Sequence, residues 1–200
     1  VASTAQYSLP QDVARVIGMR DASNDAVLRG MPWEWYMANE PDPSSTTGTP
    51  ECWAPAGFSA VAAQPTDASK VYVDSTSASD TATCYVEGIR TGGYPFASTV
   101  TMAGTTAVQI GAWTDIIAVT KFYLSGVAVG TVTLHEDAEG GTELARIPIG
   151  QSAARYLRVA LWPCPSSALT LTVDYMRQVP EMLSPHDEPW LPSDFHWVIE

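Results

Sequence analysis

The chain has 200 residues, an apolar fraction of 46% and a formal net charge of −12, from ten Lys plus Arg against twenty-two Asp plus Glu. That apolar content suffices for a real core, while the two lysines, Lys70 and Lys121, and the lack of any basic run exclude the clustered cations of a phosphate-neutralising surface. No stretch approaches the roughly 20 apolar residues of a membrane helix, and the opening VASTAQYSLPQDV has neither the basic start nor the apolar centre of a signal peptide.

An acidic surface can line a conduit through which DNA slides without sticking, although solubility is the plainer reading of such a charge. Cys52, Cys84 and Cys164 are three and far apart, which gives neither a disulfide framework nor a zinc pattern and leaves reduced, buried thiols as the expectation. The start at Val1 and the stop at Glu200 in a helix-like stretch suggest part of a longer protein.

Strand signals dominate in chain order: short β-branched and aromatic runs separated by Gly, Pro, Ser and Asp predict strands over 13–20, 69–75, 83–90, 98–103, 106–111, 116–124, 129–136, 143–149, 155–162 and 169–177. Alternation places Val71 and Val73 on the face opposite Lys70, Tyr72 and Asp74. It likewise places Leu169, Leu171, Val173 and Tyr175 opposite Thr170, Thr172 and Asp174. Gly92-Gly93, Ala103-Gly104, Ser125-Gly126 and Gly140-Gly141 read as hairpin connections. The fold class is therefore all-β and mainly antiparallel. Residues 66–152, with seven strand candidates, have the size and strand count of an immunoglobulin-like β-sandwich, inserted into a small discontinuous β base domain made of 1–65 and 153–200. The flanks at 31–56 and 178–200 are rich in Pro and Trp. Helix is predicted for a turn or two near Trp33–Asn39 and again after Pro192, where Ser193 or Asp194 caps an apolar stripe of Phe195, Val198 and Ile199.

Chemistry is hard to find. His135-Glu136-Asp137 and His186-Asp187-Glu188 set a histidine beside carboxylates, but neighbours on a strand face opposite ways and both triplets run into turns, so no metal site is expected. DAEGGTE lacks the ligand order of a calcium loop. No nucleophile motif is present, Cys164 sits between two prolines with no base in view, and no glycine loop leads into a helix to hold phosphate. The expectation is a non-enzyme with no cofactor. The tryptophans leave two options: Trp33, Trp35, Tyr36 and Trp53 as a carbohydrate-stacking platform, or aromatics that pin loops and fill an interface.

Five segments carry a resemblance: Tyr7-Ser-Leu-Pro10, Gly48-Thr-Pro-Glu-Cys-Trp53, Leu157-Arg-Val-Ala-Leu-Trp-Pro-Cys-Pro165, Leu169-Thr-Leu-Thr-Val-Asp-Tyr175 and Pro189-Trp-Leu-Pro-Ser-Asp-Phe-His-Trp197. In this order they resemble the head–tail adaptor, or connector, proteins of tailed bacteriophages. The middle is similar to an inserted sandwich through Lys70-Val-Tyr-Val-Asp, Tyr85-Val-Glu-Gly-Ile-Arg-Thr-Gly-Gly, Thr99-Val-Thr-Met-Ala-Gly-Thr, Gly130-Thr-Val-Thr-Leu and Thr142-Glu-Leu-Ala-Arg-Ile. The resemblance implies a virion neck protein, assembled in the host cytoplasm. It would form a homo-oligomeric, dodecameric ring, with the portal protein on one side and a tail or other neck protein on the other. DNA would pass through the channel without specific binding, and no membrane would be involved. It also implies flanking helices outside 1–200. The long aromatic loop 31–47 departs from the pattern. Candidate interface residues are Trp190, Leu191, Phe195, Trp197 and Ile199 at the helix entry and Trp33, Trp35 and Tyr36 as a second patch. The alternative is a glycan-binding β-sandwich module of a tail or host-surface adhesin.

Overall fold

The computed structural model describes residues 6–40, 46–137 and 140–177. The second helix and the candidates Trp190, Leu191, Phe195, Trp197 and Ile199 lie outside the described residues, as does the triplet at His186.

In chain order the elements are β1 (Gln6–Ser8), β2 (Val13–Asp21), β3 (Ala26–Gly30), α1 (Trp33–Asn39), β4 (Thr47–Gly48), β5 (Cys52–Ser59), β6 (Val71–Ser75), β7 (Thr83–Arg90), β8 (Tyr94–Thr101), β9 (Val108–Gln109), β10 (Ile116–Leu124), β11 (Val132–Glu136), β12 (Glu143–Ile147), β13 (Tyr156–Trp162), β14 (Cys164–Pro165) and β15 (Leu171–Arg177). The chain is all-β and mostly antiparallel, with a single helix among the described residues. That helix, seven residues long, is far too short to cross a membrane, and among the described residues no helix is long and apolar enough to do so.

Strands from both ends of the chain form one six-stranded sheet in the order β1-β13-β5-β3-β2-β15. Period-two alternation sends Leu157, Val159 and Leu161 of β13 to one face, where they meet Val13, Val16, Met19 and Leu28. The sheet curls around this cluster. Tyr7 of β1 and Leu171 of β15, on opposite edges of the sheet, pack against the same residues.

The strands between β5 and β13 form two further sheets, β10-β7-β8 and β12-β11-β6-β9, and a short parallel pair joins β14 to β4. Val71, Val73, Val86, Phe122, Val132 and Leu134 from both sheets share one buried cluster, which gives this part of the chain the layering of a β-sandwich. The expected faces hold in β6, where Val71 and Val73 are buried and Tyr72 and Asp74 only partly so. In β15 the alternation also holds, but Leu171 and Val173 are only partly covered and Tyr175 is exposed.

Two of the four glycine turns differ from expectation. Gly92-Gly93 and Gly140-Gly141 join the hairpins β7–β8 and β11–β12. Ala103-Gly104 and Ser125-Gly126 instead carry the chain between sheets, because β8 and β9, and likewise β10 and β11, pair with different partners. Gly104 has φ +63, and a Cβ there would stand 2.7 Å from the backbone of Ala78, so the crossing needs glycine both for its backbone angle and for its clearance.

Candidate functional site

The aromatic patch that the sequence offers as an interface is built on one face of the six-stranded sheet. Trp33 follows Pro32, which occupies the N-cap without a side-chain cap; Glu34 in the first turn complements the helix dipole. Tyr36 N–H donates to Pro32 O at 3.3 Å and Glu40 N–H to Tyr36 O at 2.8 Å, while the Asn39 amide donates to Trp35 O at 2.8 Å.

Small residues on the sheet let this helix approach closely. Ala54 on β5 and Ala160 on β13 are buried beneath Tyr36, with Ala56 beside them. Trp33 stacks on Tyr36 with centroids 5.1 Å apart and planes 11° from parallel, a pairing that helical spacing of three residues makes natural. Trp35 meets Trp162 of β13 edge to face at 5.5 Å, the offset geometry that aromatic quadrupoles favour. Tyr36 is 1% exposed. It is therefore a packing residue, while Trp33 and Trp35 are half-buried and Met37 projects outward.

At the patch the phenol and the nearby thiol are both held protonated. Burial, then the nearby Glu40 carboxylate and Cys164 thiol, push the Tyr36 phenol above its ordinary pKa. Burial and Glu40 likewise push Cys164 up, so it is held as a thiol rather than as a nucleophilic thiolate. Burial pushes the Cys84 thiol in the sandwich core to about 12. Trp53, the fourth platform candidate, turns to the other face of β5 and packs on the cluster of β2 and β13, its ring lying against Gly30. The four aromatics are thus split between two faces of one sheet.

His135 and Glu136 face opposite ways, as adjacent strand residues do. The His135 ring contacts the Asp74 carboxylate at 3.2 Å. Glu136 is buried and accepts from Thr66 N–H at 2.7 Å, the Ser69 hydroxyl at 2.8 Å and the Thr66 hydroxyl at 3.2 Å. Among the described residues no three His, Cys, Asp or Glu side chains are grouped to hold a metal. Glu136 instead fastens the segment leading into the sandwich. Gln64 in the same segment acts alike: its amide donates to Val119 O at 3.0 Å and accepts from Val119 N–H at 2.8 Å.

Four of the five resemblance segments come together in space, and the fifth, at 189–197, lies outside the described residues. Tyr7 pairs with Val159, Leu161 with Trp53, Pro165 with Gly48, and Tyr175 of β15 with Val16 of β2 in the same sheet. Comparison with known proteins finds no matching family model, no matching curated protein and no matching solved structure.

Proposed function

We propose that the chain is a structural virion protein, a head–tail adaptor of a tailed phage that acts by assembling into a ring between portal and tail around the DNA channel, with its immunoglobulin-like insertion outside the base. The observation that carries this reading is the convergence of Tyr7–Pro10, Gly48–Trp53 and Leu157–Pro165 on β13 and its neighbours. Segments far apart in sequence, which resemble adaptor motifs in their order, thus meet in the six-stranded sheet and in the short β14–β4 pair that follows β13. A base domain assembled in this way, with no three metal-ligating side chains grouped among the described residues, suits a protein whose work is contact rather than turnover. Half-buried Trp33 and Trp35 beside exposed Met37 offer an aromatic and thioether surface of the kind enriched at interfaces. The charge of −12 favours passage of DNA over adhesion.

Native mass spectrometry and negative-stain imaging of the purified full chain, alone and with a portal protein, test the proposal. Closed rings of identical copies or a stoichiometric complex with the portal are expected. A chain that stays monomeric at high concentration and ignores the portal overturns it.

A further inference from the structure

Arg158 differs from the other cations of this acidic chain in being half-buried without a partner, whereas Arg15, Arg29 and Lys70, which also lack a carboxylate partner among the described residues, are exposed to solvent. Arg20, Arg90, Lys121, Arg146 and Arg177 each have a carboxylate partner, and the Arg155 guanidinium lies over the Phe58 ring. Arg158 is half-buried on β13, on the face opposite Leu157 and Val159, and has neither a carboxylate nor a hydrogen-bond acceptor among the described residues. It lines a cleft of about 620 Å³ where β1, β13 and β5 meet the 61–65 segment. No lining residue is acidic, although acids outnumber bases by more than two to one in the chain.

The remaining polar side chains of the cleft are neutral, and each can donate or is already engaged. The Ser8 hydroxyl donates to Val61 O at 3.3 Å. Ser59 Oγ accepts from Val61 N–H at 3.2 Å, which leaves its own proton to donate. Gln6 adds an amide at the cleft wall, whereas the Gln64 amide is held by Val119. A single guanidinium fork with neutral donors beside it matches one planar monoanion, whereas a phosphate dianion calls for more positive charge. One wall is β1, which among the described residues is an edge strand with a neighbour on only one side, so a ligand that also brings main-chain groups gains more there than a free carboxylate does.

We infer that this cleft receives the carboxylate of an acidic polypeptide segment, bound by the Arg158 guanidinium with Gln6 and Ser59 as flanking donors. This is independent of ring formation. The test titrates the isotope-labelled full chain with an N-acetylated, C-amidated Gly-Glu-Gly-Glu-Gly peptide, with its Gln counterpart and with inorganic phosphate, following the amide resonances of Ser8, Ser59 and Ala62. The Glu peptide should shift them saturably, the Gln peptide should bind at least about tenfold more weakly, and Arg158→Gln should lose a similar factor, the size expected for a charge-assisted bond. No saturable shift, equal binding of the Glu and Gln peptides, phosphate saturating the same resonances as tightly, or an unaffected Arg158→Gln would each overturn it. The Glu-against-Gln comparison uses the unmodified chain and does not depend on any variant folding.

Discussion

Ser59 and Tyr156 face each other across the β5–β13 ladder, although the whole sandwich lies between them in sequence. The chain thus leaves the six-stranded sheet and returns to it at one point between two neighbouring antiparallel strands. Replacing 61–154 by a two-residue Asn-Gly turn, which suits a tight antiparallel connection, is expected to leave a soluble base domain that unfolds cooperatively by circular dichroism. An insoluble or unstructured product would show that the base cannot fold without the segment.

Glu136 should govern acid stability. Burial alone would raise its pKa, but hydrogen bonds from Ser69, from the backbone of Thr66 and Asp67 and from the Thr66 hydroxyl outweigh burial and hold it below the usual carboxylate range. A depressed folded pKa stabilises the fold above the unfolded value of about 4.3, and that stabilisation disappears as the pH falls through the folded value. Glu136→Gln is expected to cost about 1–3 kcal/mol at pH 7 and to flatten the loss of stability below about pH 5, as urea unfolding across pH will measure.

Asp80 does the same for another crossing. Its carboxylate accepts from Val129 N–H and Gly130 N–H, each at 2.8 Å, and from the Ser75 hydroxyl at 2.5 Å. Asp80→Asn turns one acceptor oxygen into an NH2 that faces a main-chain N–H or the Ser75 hydroxyl. A loss of about 1–3 kcal/mol is expected, visible as a lower thermal midpoint, and Asp80→Ala should lose at least as much.

Gly88 allows β10 to approach β7. A Cβ there would fall 2.0 Å from Ala118 O and 2.7 Å from the Phe96 ring, and the first of these contacts is with backbone, which cannot rotate away. Gly88→Ala should destabilise the sandwich by about 3 kcal/mol. Unchanged unfolding would mean that β10 can shift along its bulges.

At α1 two substitutions of Tyr36 should diverge. Its hydroxyl is buried with no hydrogen-bond partner among the described residues, so Tyr36→Phe is expected to leave stability unchanged or to raise it by up to about 1 kcal/mol. Tyr36→Ala empties the space over Ala54 and Ala160 and should cost about 3–5 kcal/mol. Denaturant titrations of both variants check this.

The sandwich strands were legible because their buried and partly covered residues alternate, as Val71 through Ser75 do. The base strands β1, β3 and β5 went unread for separate reasons. β1 is three residues long. β3 follows a turn in which the Asp21 carboxylate accepts from Ser23 N–H and Asn24 N–H and Asp25 takes φ 54; the cluster of Asp, Ser and Asn around it marked a turn but not the strand beyond. β5 reads Cys-Trp-Ala-Pro-Ala-Gly-Phe-Ser, and its alanines, poor strand formers, are there because a helix lies on them. At the site, the turn near Trp33 was visible from sequence, but which aromatics face inward depends on the sheet beneath. Arg158 carried no local signal, since only the folded chain shows which cations have found carboxylates.

Consecutive residues of β13 belong to different interiors: Tyr156 packs in the sandwich cluster and Leu157 in that of the curled sheet. Arg146 N–H of the sandwich donates to the Tyr156 hydroxyl at 2.8 Å, and Gln64 and Glu136 fasten the other crossing. Both crossings between the sandwich and the six-stranded sheet are therefore clasped by packing and hydrogen bonds, so that neither connection is a slack tether.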